Sequence, residues 1–223
     1  MTVLAETQSV LDKARARSDS ILVAYSSGKD SRVVLDLCLR TFKHVAGFFM
    51  AFIPGLECVD RELDETRRKY GIEIRIYPHW LMRAALVNGV YTSSYYEYEK
   101  LPEWKLADVY ALALIDSGMP HLVTGAKRAD SSWRRRFMTS FHPDDVLNPI
   151  AGWHKYDVVS YLRSHNIPEP PSSGHSATGI DLSPQSLLWL SKTYPRDFER
   201  LCTVFPYAAA VPWREKFYGK GES

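Results

Sequence analysis

Ile21-Leu22-Val23-Ala24-Tyr25-Ser26-Ser27-Gly28-Lys29-Asp30-Ser31 runs directly into Arg32-Val33-Val34-Leu35-Asp36-Leu37-Cys38-Leu39, and this junction decides the fold. A short apolar run stops abruptly at small polar residues, and apolar positions at helical spacing follow. The spacing predicts a buried strand, a polar loop and a helix. That order aims first-turn N–H groups and a helix dipole at an anion. Ser26, Ser27 and Ser31 add hydroxyl donors, Gly28 permits close backbone approach, and Lys29 brings a point charge for phosphate oxygens. The stretch is not GxxxxGK[ST], because Val23 stands at the first glycine and Asp30 at the Ser/Thr position. GxGxxG is absent as well.

Outward from this junction, apolar and polar patterns alternate in kind. Val3, Leu4, Val10, Leu11 and Ala14 mark a helix over residues 2–17. The apolar run from His44 to Phe52 is expected to be a second strand, ended by the Pro54-Gly55 turn. Residues 57–70 form a charged amphipathic helix closed by Gly71. Ile72, Ile74 and Ile76 alternate with polar residues as a third strand. An aromatic loop, Tyr91 to Tyr98, precedes a helix from Trp104 to Ser117. A short strand, His121 to Thr124, comes next. The chain from Gly125 to Asn148 looks basic and irregular. His154 to His165 is helical. A Pro/Ser/Gly-rich connector, 167–184, leads to two short helices, 185–193 and 195–202. Strands alternating with helices imply an α/β fold with a doubly wound, Rossmann-like parallel sheet. The expected division is a domain over 1–170 that carries the anion-binding loop, which the resemblance given below makes a nucleotide-binding domain, and a helical C-terminal extension over 171–223. Ligands of such sheets bind beyond the strands' carboxyl ends, where the loops at 26–31, 54–57 and 125–136 are expected to converge.

Bulk properties narrow the classes. With 223 residues the chain can bury a real core. A net charge of +2 makes no global demand for nucleic acid or an acidic membrane. The first twenty residues are charged, so neither a signal peptide nor a membrane-spanning helix is expected. Cys38, Cys58 and Cys202 are scattered and form no Cys-x-x-Cys, which suits a reducing, cytoplasmic location. His79, His121, His142, His154, His165 and His175 show no metal-ligand spacing.

The second informative stretch is Thr124-Gly125-Ala126-Lys127-Arg128-Ala129-Asp130-Ser131-Ser132-Trp133-Arg134-Arg135-Arg136. A glycine turn after a strand is followed by five cationic residues among small polar ones. Arginine forks suit oxyanions, so a second grip on phosphate or sulfate is expected from Gly125, Lys127, Arg128, Ser131 and Arg134. Trp133, Tyr95, Tyr96, Tyr98 and Trp104 add aromatic side chains that either pack over the ligand site or a dimer interface, or form a surface of the sort that binds single-stranded nucleic acid.

The Ser-x-Gly-x-Asp-Ser pattern at 26–31 resembles the pyrophosphate loop of the adenine nucleotide α-hydrolase superfamily, and its Gly-Lys-Asp-Ser form resembles the phosphoadenylyl-sulfate (PAPS) reductase branch. The 124–136 stretch is similar to that family's Thr-Gly-x-Arg-Arg-x-x-Ser-x-x-Arg segment. Gly125, Arg128, Ser131 and Arg134 match, and Lys127 takes an arginine position. Asn148-Pro149-Ile150-Ala151-Gly152-Trp153, with Asp157-Val158, resembles the family's Asn-Pro-Leu-x-x-Trp-x-x-x-Asp-Val. The resemblance covers about residues 20 to 170, in order. It implies an adenine nucleotide as ligand, ATP or PAPS, with Mg²⁺, and because the chain lacks the cysteine pairs of the adenylyl-sulfate branch no iron–sulfur cluster is expected. The residues it implies for binding are Ser26, Ser27, Gly28, Lys29, Asp30, Ser31, Gly55, Gly125, Lys127, Arg128, Ser131 and Arg134. Lys29, Asp30 and Arg128 would serve catalysis, Asp30 also as the Mg²⁺ ligand.

Two departures bear on the reaction. Where the family shows Asp-Thr-Gly-x-x-Phe-Pro-Glu-Thr, this chain has Ile53-Pro54-Gly55-Leu56-Glu57-Cys58-Val59, which keeps the glycine. The reductases' C-terminal Glu-Cys-Gly-x-His is missing, and Cys202 sits in Leu-Cys-Thr. Of the three thiols, Cys58 is the best placed. The resemblance therefore points first to cleavage of ATP at the α–β bond and adenylation of an acceptor, in sulfur transfer or nucleic-acid modification. PAPS reduction and a non-catalytic nucleotide-binding subunit are the alternatives. Candidate partners are a nucleic acid, a sulfur-carrier protein and a second copy of the chain, with no membrane.

Overall fold

The computed structural model describes residues 3–93, 95–138, 146–170 and 181–218. In chain order the elements are α1 (Val3–Arg15), β1 (Ser20–Ala24), α2 (Lys29–Thr41), β2 (His44–Ala51), α3 (Glu57–Tyr70), β3 (Ile74–Pro78), α4 (Met82–Val87), α5 (Tyr96–Glu99), α6 (Leu106–Ser117), β4 (Leu122–Val123), α7 (Ser132–Phe137), β5 (Val146–Leu147), α8 (Lys155–Ser164), α9 (Pro184–Thr193), α10 (Pro195–Val204) and α11 (Ala210–Tyr218). Single 3₁₀ turns occur at Arg128–Asp130 and Pro206–Ala209.

The five strands form one parallel sheet in the order β3-β2-β1-β4-β5. β1 lies at its centre because Ile21, Leu22 and Val23 have no polar side to turn to water, and all three are buried. Ser20 pairs with His44 and Ala24 with Phe48 across β1 and β2. On the other side Leu22 and Val23 pair with Leu122 and Val123. The chain thus grows from β1 outward to β3 and then crosses back to β4. The switch point lies between β1 and β4, the crevice where ligands of open parallel sheets sit. The loops after β1 and β4 are the two motif-bearing loops of the sequence.

The chain divides into two compact units. The first comprises residues 1–49, 66–76 and 110–170, and the second 50–65, 77–109 and 171–223. In the first unit α2 buries Val33, Val34, Leu35, Leu37 and Cys38, the apolar stripe its sequence predicts. Tyr161 of α8 donates to Asp36 of α2 at 2.8 Å. Thr7 of α1 donates to the Pro149 carbonyl at 2.8 Å and accepts from Trp153 Nε1 at 2.8 Å, so the Asn-Pro segment packs on the amino-terminal helix. In the second unit Leu187, Leu190, Leu201, Phe205 and Ala208 are fully buried. Asp197 of α10 accepts from the Glu57 and Cys58 backbone N–H groups at 2.8 and 2.9 Å, capping α3.

Three differences from the sequence expectation have simple causes. β5 emerges from the stretch expected to be irregular. Two residues are too few for a periodic pattern, and the strand exists because Val146 and Leu147 pair with Leu122 and Val123. Ser131 caps the short helix α7 by accepting from Arg134 N at 3.1 Å. The aromatic loop ends in α5, a single helical turn. His142, His175 and most of the 167–184 connector lie outside the described residues.

Candidate functional site

β1 delivers the chain into the 26–31 loop, and α2 leaves it. Ser27 is 1 % exposed and adopts φ 51°, a left-handed conformation that costs a non-glycine residue about 1–2 kcal/mol. Two contacts hold it there. Arg32 Nε donates to the Ser27 carbonyl at 2.9 Å, while its Nη1 reaches the Pro168 carbonyl at 3.2 Å. The buried Ser31 hydroxyl donates to the Gly28 carbonyl at 3.0 Å and accepts from Ser26 N at 3.2 Å. Ser31 thus shapes the loop from inside, while Ser26 is exposed. Gly28 stands at the helix N-cap in extended conformation and has no side chain to cap with. The first-turn N–H groups of α2 have no intrahelical partner, and groups of this kind at a helix N-terminus suit an anion.

The second motif closes against the first through backbone. A Cβ on Gly125 would lie 3.1 Å from Asp30 C and 3.1 Å from Ser31 N. Glycine is required here for close approach rather than for an unusual φ. Beyond it stands Lys127, whose side chain is only 4 % exposed. Its Nζ lies 2.7 Å from Asp30 Oδ1 and 3.1 Å from Asp130 Oδ1. The Asp30 contact has the distance of an ion pair without the angle of a hydrogen bond. Lys29 Nζ reaches Asp30 Oδ2 at 3.1 Å, and Arg134 Nη1 reaches Asp130 Oδ2 at 2.9 Å. Lys29, Asp30, Lys127, Asp130 and Arg134 form one alternating run of charge that ties the two loops together. Burial pushes the Asp130 carboxyl up, but the Lys127 backbone N–H, the Lys127 ammonium and Arg134 outweigh it and hold it below the usual range.

Arg128 is half-buried. Its backbone N–H donates to the Ala151 carbonyl at 2.9 Å and its Nε to the Met138 carbonyl at 3.1 Å. Gly55 belongs to the second unit, at φ 71°, and a Cβ there would lie 2.9 Å from Arg200 Nη2. Eleven of the twelve expected binding residues therefore fall in the first unit, on the loops flanking the switch point. Sequence reasoning missed Arg32, which clamps the strained Ser27, and Asp130, the one acid inside the basic stretch. That lone acid among five cations was the available signal.

The thiols are quiet. Cys38 is fully buried, and burial pushes its pKa up. Burial, reinforced by the Asp197 carboxylate, raises that of Cys58. Burial and Glu199 raise that of Cys202. Among the described residues no group of three or more His, Cys, Asp or Glu could hold a metal ion. No helix among them is long and apolar enough to cross a membrane.

Among solved structures the chain is similar to an NH3-dependent NAD synthetase from Campylobacter jejuni, in complex with the nitrate ion. The match has 15 % identity and a TM-score of 0.50, over 100 % of this chain and 99 % of that one. It is also similar to a phosphoadenylyl-sulfate reductase from Candida auris, in a phosphate complex. That match has 18 % identity and a TM-score of 0.50, over 73 % of this chain and 81 % of that one. At these identities the likeness concerns the fold. No curated protein matches the chain. The family described as phosphoadenosine phosphosulfate reductase domain matches residues 20–171, from the first residue of β1 to just beyond α8. With both motif loops inside that match, the chain belongs to the phosphoadenosine phosphosulfate reductase domain family.

Proposed function

We propose that the chain binds ATP over the 26–31 loop and cleaves it between the α and β phosphates, passing the adenylyl group to an acceptor in sulfur transfer or nucleic-acid modification. The observation that carries this reading is Ser27, a buried serine clamped at φ 51° where a strand meets a helix. Strain of this kind persists where the surroundings over-determine it, which is characteristic of ligand clamps. An acceptor oxygen would attack the α-phosphorus and form one P–O bond. The bond to the bridging oxygen would break, and pyrophosphate would leave with the electron pair. The loop N–H groups, Ser26 and Lys29 would hold the growing negative charge, with Arg128 as the second grip. Lys127 and Asp130 would hold the loops in register.

Mg²⁺ commonly bridges phosphates with help from a carboxylate. The residues present do not fit a protein-held Mg²⁺ site, because both Asp30 oxygens face lysine ammonium groups. No step is assigned to Asp30 as a metal ligand.

Family membership favours a second reading, in which the ligand is PAPS. Its reduction needs an accessible thiolate of lowered pKa, and all three thiols of this chain are shifted the other way. This reading therefore takes the form of a sulfonucleotide site without its own nucleophile. Calorimetric titration with ATP, and separately with adenosine 3′,5′-bisphosphate, separates the two. The Lys29→Ala/Arg128→Ala double variant is the control. The first reading expects a preference for ATP, lost in the variant, with AMP and pyrophosphate as products. ADP as product would sink it. Preference for the 3′-phosphorylated nucleotide would establish the second reading. Binding of ATP without turnover would leave a nucleotide-binding subunit.

A further inference from the structure

α7 carries two aromatic rings, and two guanidinium groups with no ion pair among the described residues, on one exposed turn and a half of helix. Trp133 and Phe137, four residues apart and so on one face, are 68 % and 58 % exposed. Their ring centroids lie 5.6 Å apart. Arg135 and Arg136 are exposed and form no ion pair among the described residues, and the Arg136 guanidinium sits 5.5 Å from the Phe137 ring centre. Arg134, in contrast, is held by Asp130. Residues 125–136 hold five cations and one acid, whereas the whole chain carries only +2. Positive charge is thus concentrated beside exposed flat apolar surface.

The complement of such an exposed helix is a polyanion that also offers flat faces. A single strand of nucleic acid has both, spaced phosphates and unstacked bases. A duplex hides its base faces, and an acidic polypeptide supplies charge alone. We propose that α7 is a docking surface for single-stranded nucleic acid, with bases stacked on Trp133 and Phe137 and phosphates paired with Arg135 and Arg136. Naming that strand as the adenylation acceptor rests on the function proposed above. The binding itself does not.

The test is fluorescence anisotropy with a labelled, mixed-sequence single strand of about 12 nucleotides, roughly the span of a stacking groove, with no ATP present. The same measurement is made on a duplex, and with heparin and polyglutamate as competitors lacking bases. The expected result is binding of the single strand in preference to the duplex. Trp133→Ala should weaken it about 5- to 150-fold, the loss of one stacked base. Arg135→Ala/Arg136→Ala should flatten the log–log salt slope by about 1.4, two phosphate contacts on a single strand. All three side chains are exposed, and circular dichroism of the variants checks their fold. No binding at about 50 mM salt, where phosphate contacts are strong, would overturn the proposal. Equal affinity for duplex, or binding indifferent to Trp133→Ala, would do the same. Displacement by heparin or polyglutamate as readily as by unlabelled strand would also overturn it. AMP formation from ATP is assayed separately. Lost strand binding with AMP production intact counts against α7 only, and the reverse counts against the ATP reading only.

Discussion

Removing the buried ammonium of Lys127 is the sharpest test of how the two loops are joined. Lys127→Met keeps the length and apolar stem of the side chain and deletes its charge. The Lys127 side chain is 4 % exposed, against 24 % and 31 % for those of Asp30 and Asp130, whose carboxylates lie at 2.7 and 3.1 Å from its Nζ. Breaking a fully buried pair costs about 3–5 kcal/mol, and an exposed pair is worth less than about 1 kcal/mol. Here the cation is sealed, but each carboxylate touches water and keeps a second cationic partner, Lys29 or Arg134. An intermediate loss of about 2 kcal/mol follows from that position between the limits. For a chain of this length it corresponds to a fall of about 4–8 °C in melting temperature. Thermal and urea unfolding of the wild type and Lys127→Met measure it. Adding Asp130→Asn, which neutralises a carboxylate that has lost one of its two cations, should recover part of the loss in a double-mutant cycle. A melting temperature within about 1 °C of wild type, together with lost nucleotide affinity, would refute the reasoning. That outcome would mean that the ammonium faces ligand instead of the two carboxylates.

Three further outcomes are expected. Ser27→Gly should leave stability within about 1 kcal/mol, because relief of the left-handed strain is offset by the freer unfolded chain. Ser27→Val should cost about 2 kcal/mol or more, and a valine variant as stable as wild type in urea would contradict the φ of 51°. His79 stacks on Phe52 at 4.0 Å, and burial lowers its pKa to about 4. The unfolded chain then takes up a proton near pH 6.5 that the folded one refuses, so stability is full above about pH 6.5 and falls toward pH 4. At about pH 5 the loss is about 2 kcal/mol before solvent screening of the part-exposed ring, and about 1 kcal/mol after it. His79→Phe should flatten that pH profile, and an unchanged profile would show that another group is responsible. Asp197→Ala should cost about 1–2 kcal/mol through loss of the α3 cap. An Asp197→Ala variant with the wild-type urea midpoint would show that the cap is dispensable.

The first motif and its setting were legible because their causes are local. An apolar run of β-branched and aliphatic residues, a break into serines and glycine, and helical spacing afterwards lie within one stretch of chain. β1, the loop and α2 stand where that pattern puts them, and α3 matches from Glu57 to Tyr70. β5 was not legible, since two residues carry no period and only their partners in β4 make them a strand. Asp197 as the α3 cap lies 140 residues from Glu57, the donor it satisfies. No spacing rule reaches that far.

The sequence by itself determined the chemistry on offer: a helix N-terminus behind a serine-glycine loop, and a cationic second loop. Each is a property of neighbouring residues, set by side-chain type and backbone preference. Tertiary structure alone decided how those groups are used. It set Gly125 against the backbone of Asp30 and Ser31, and placed Ser31 and Arg32 as the clamps of Ser27. It turned Lys127 inward to two carboxylates while leaving Arg135 and Arg136 outside. The five cations of 127–136 look alike in sequence, because charge is a property of the residue. Its division into a buried tie and an exposed face depends on which carboxylates lie within a few ångströms, and β4 beside β1 is what brings them there.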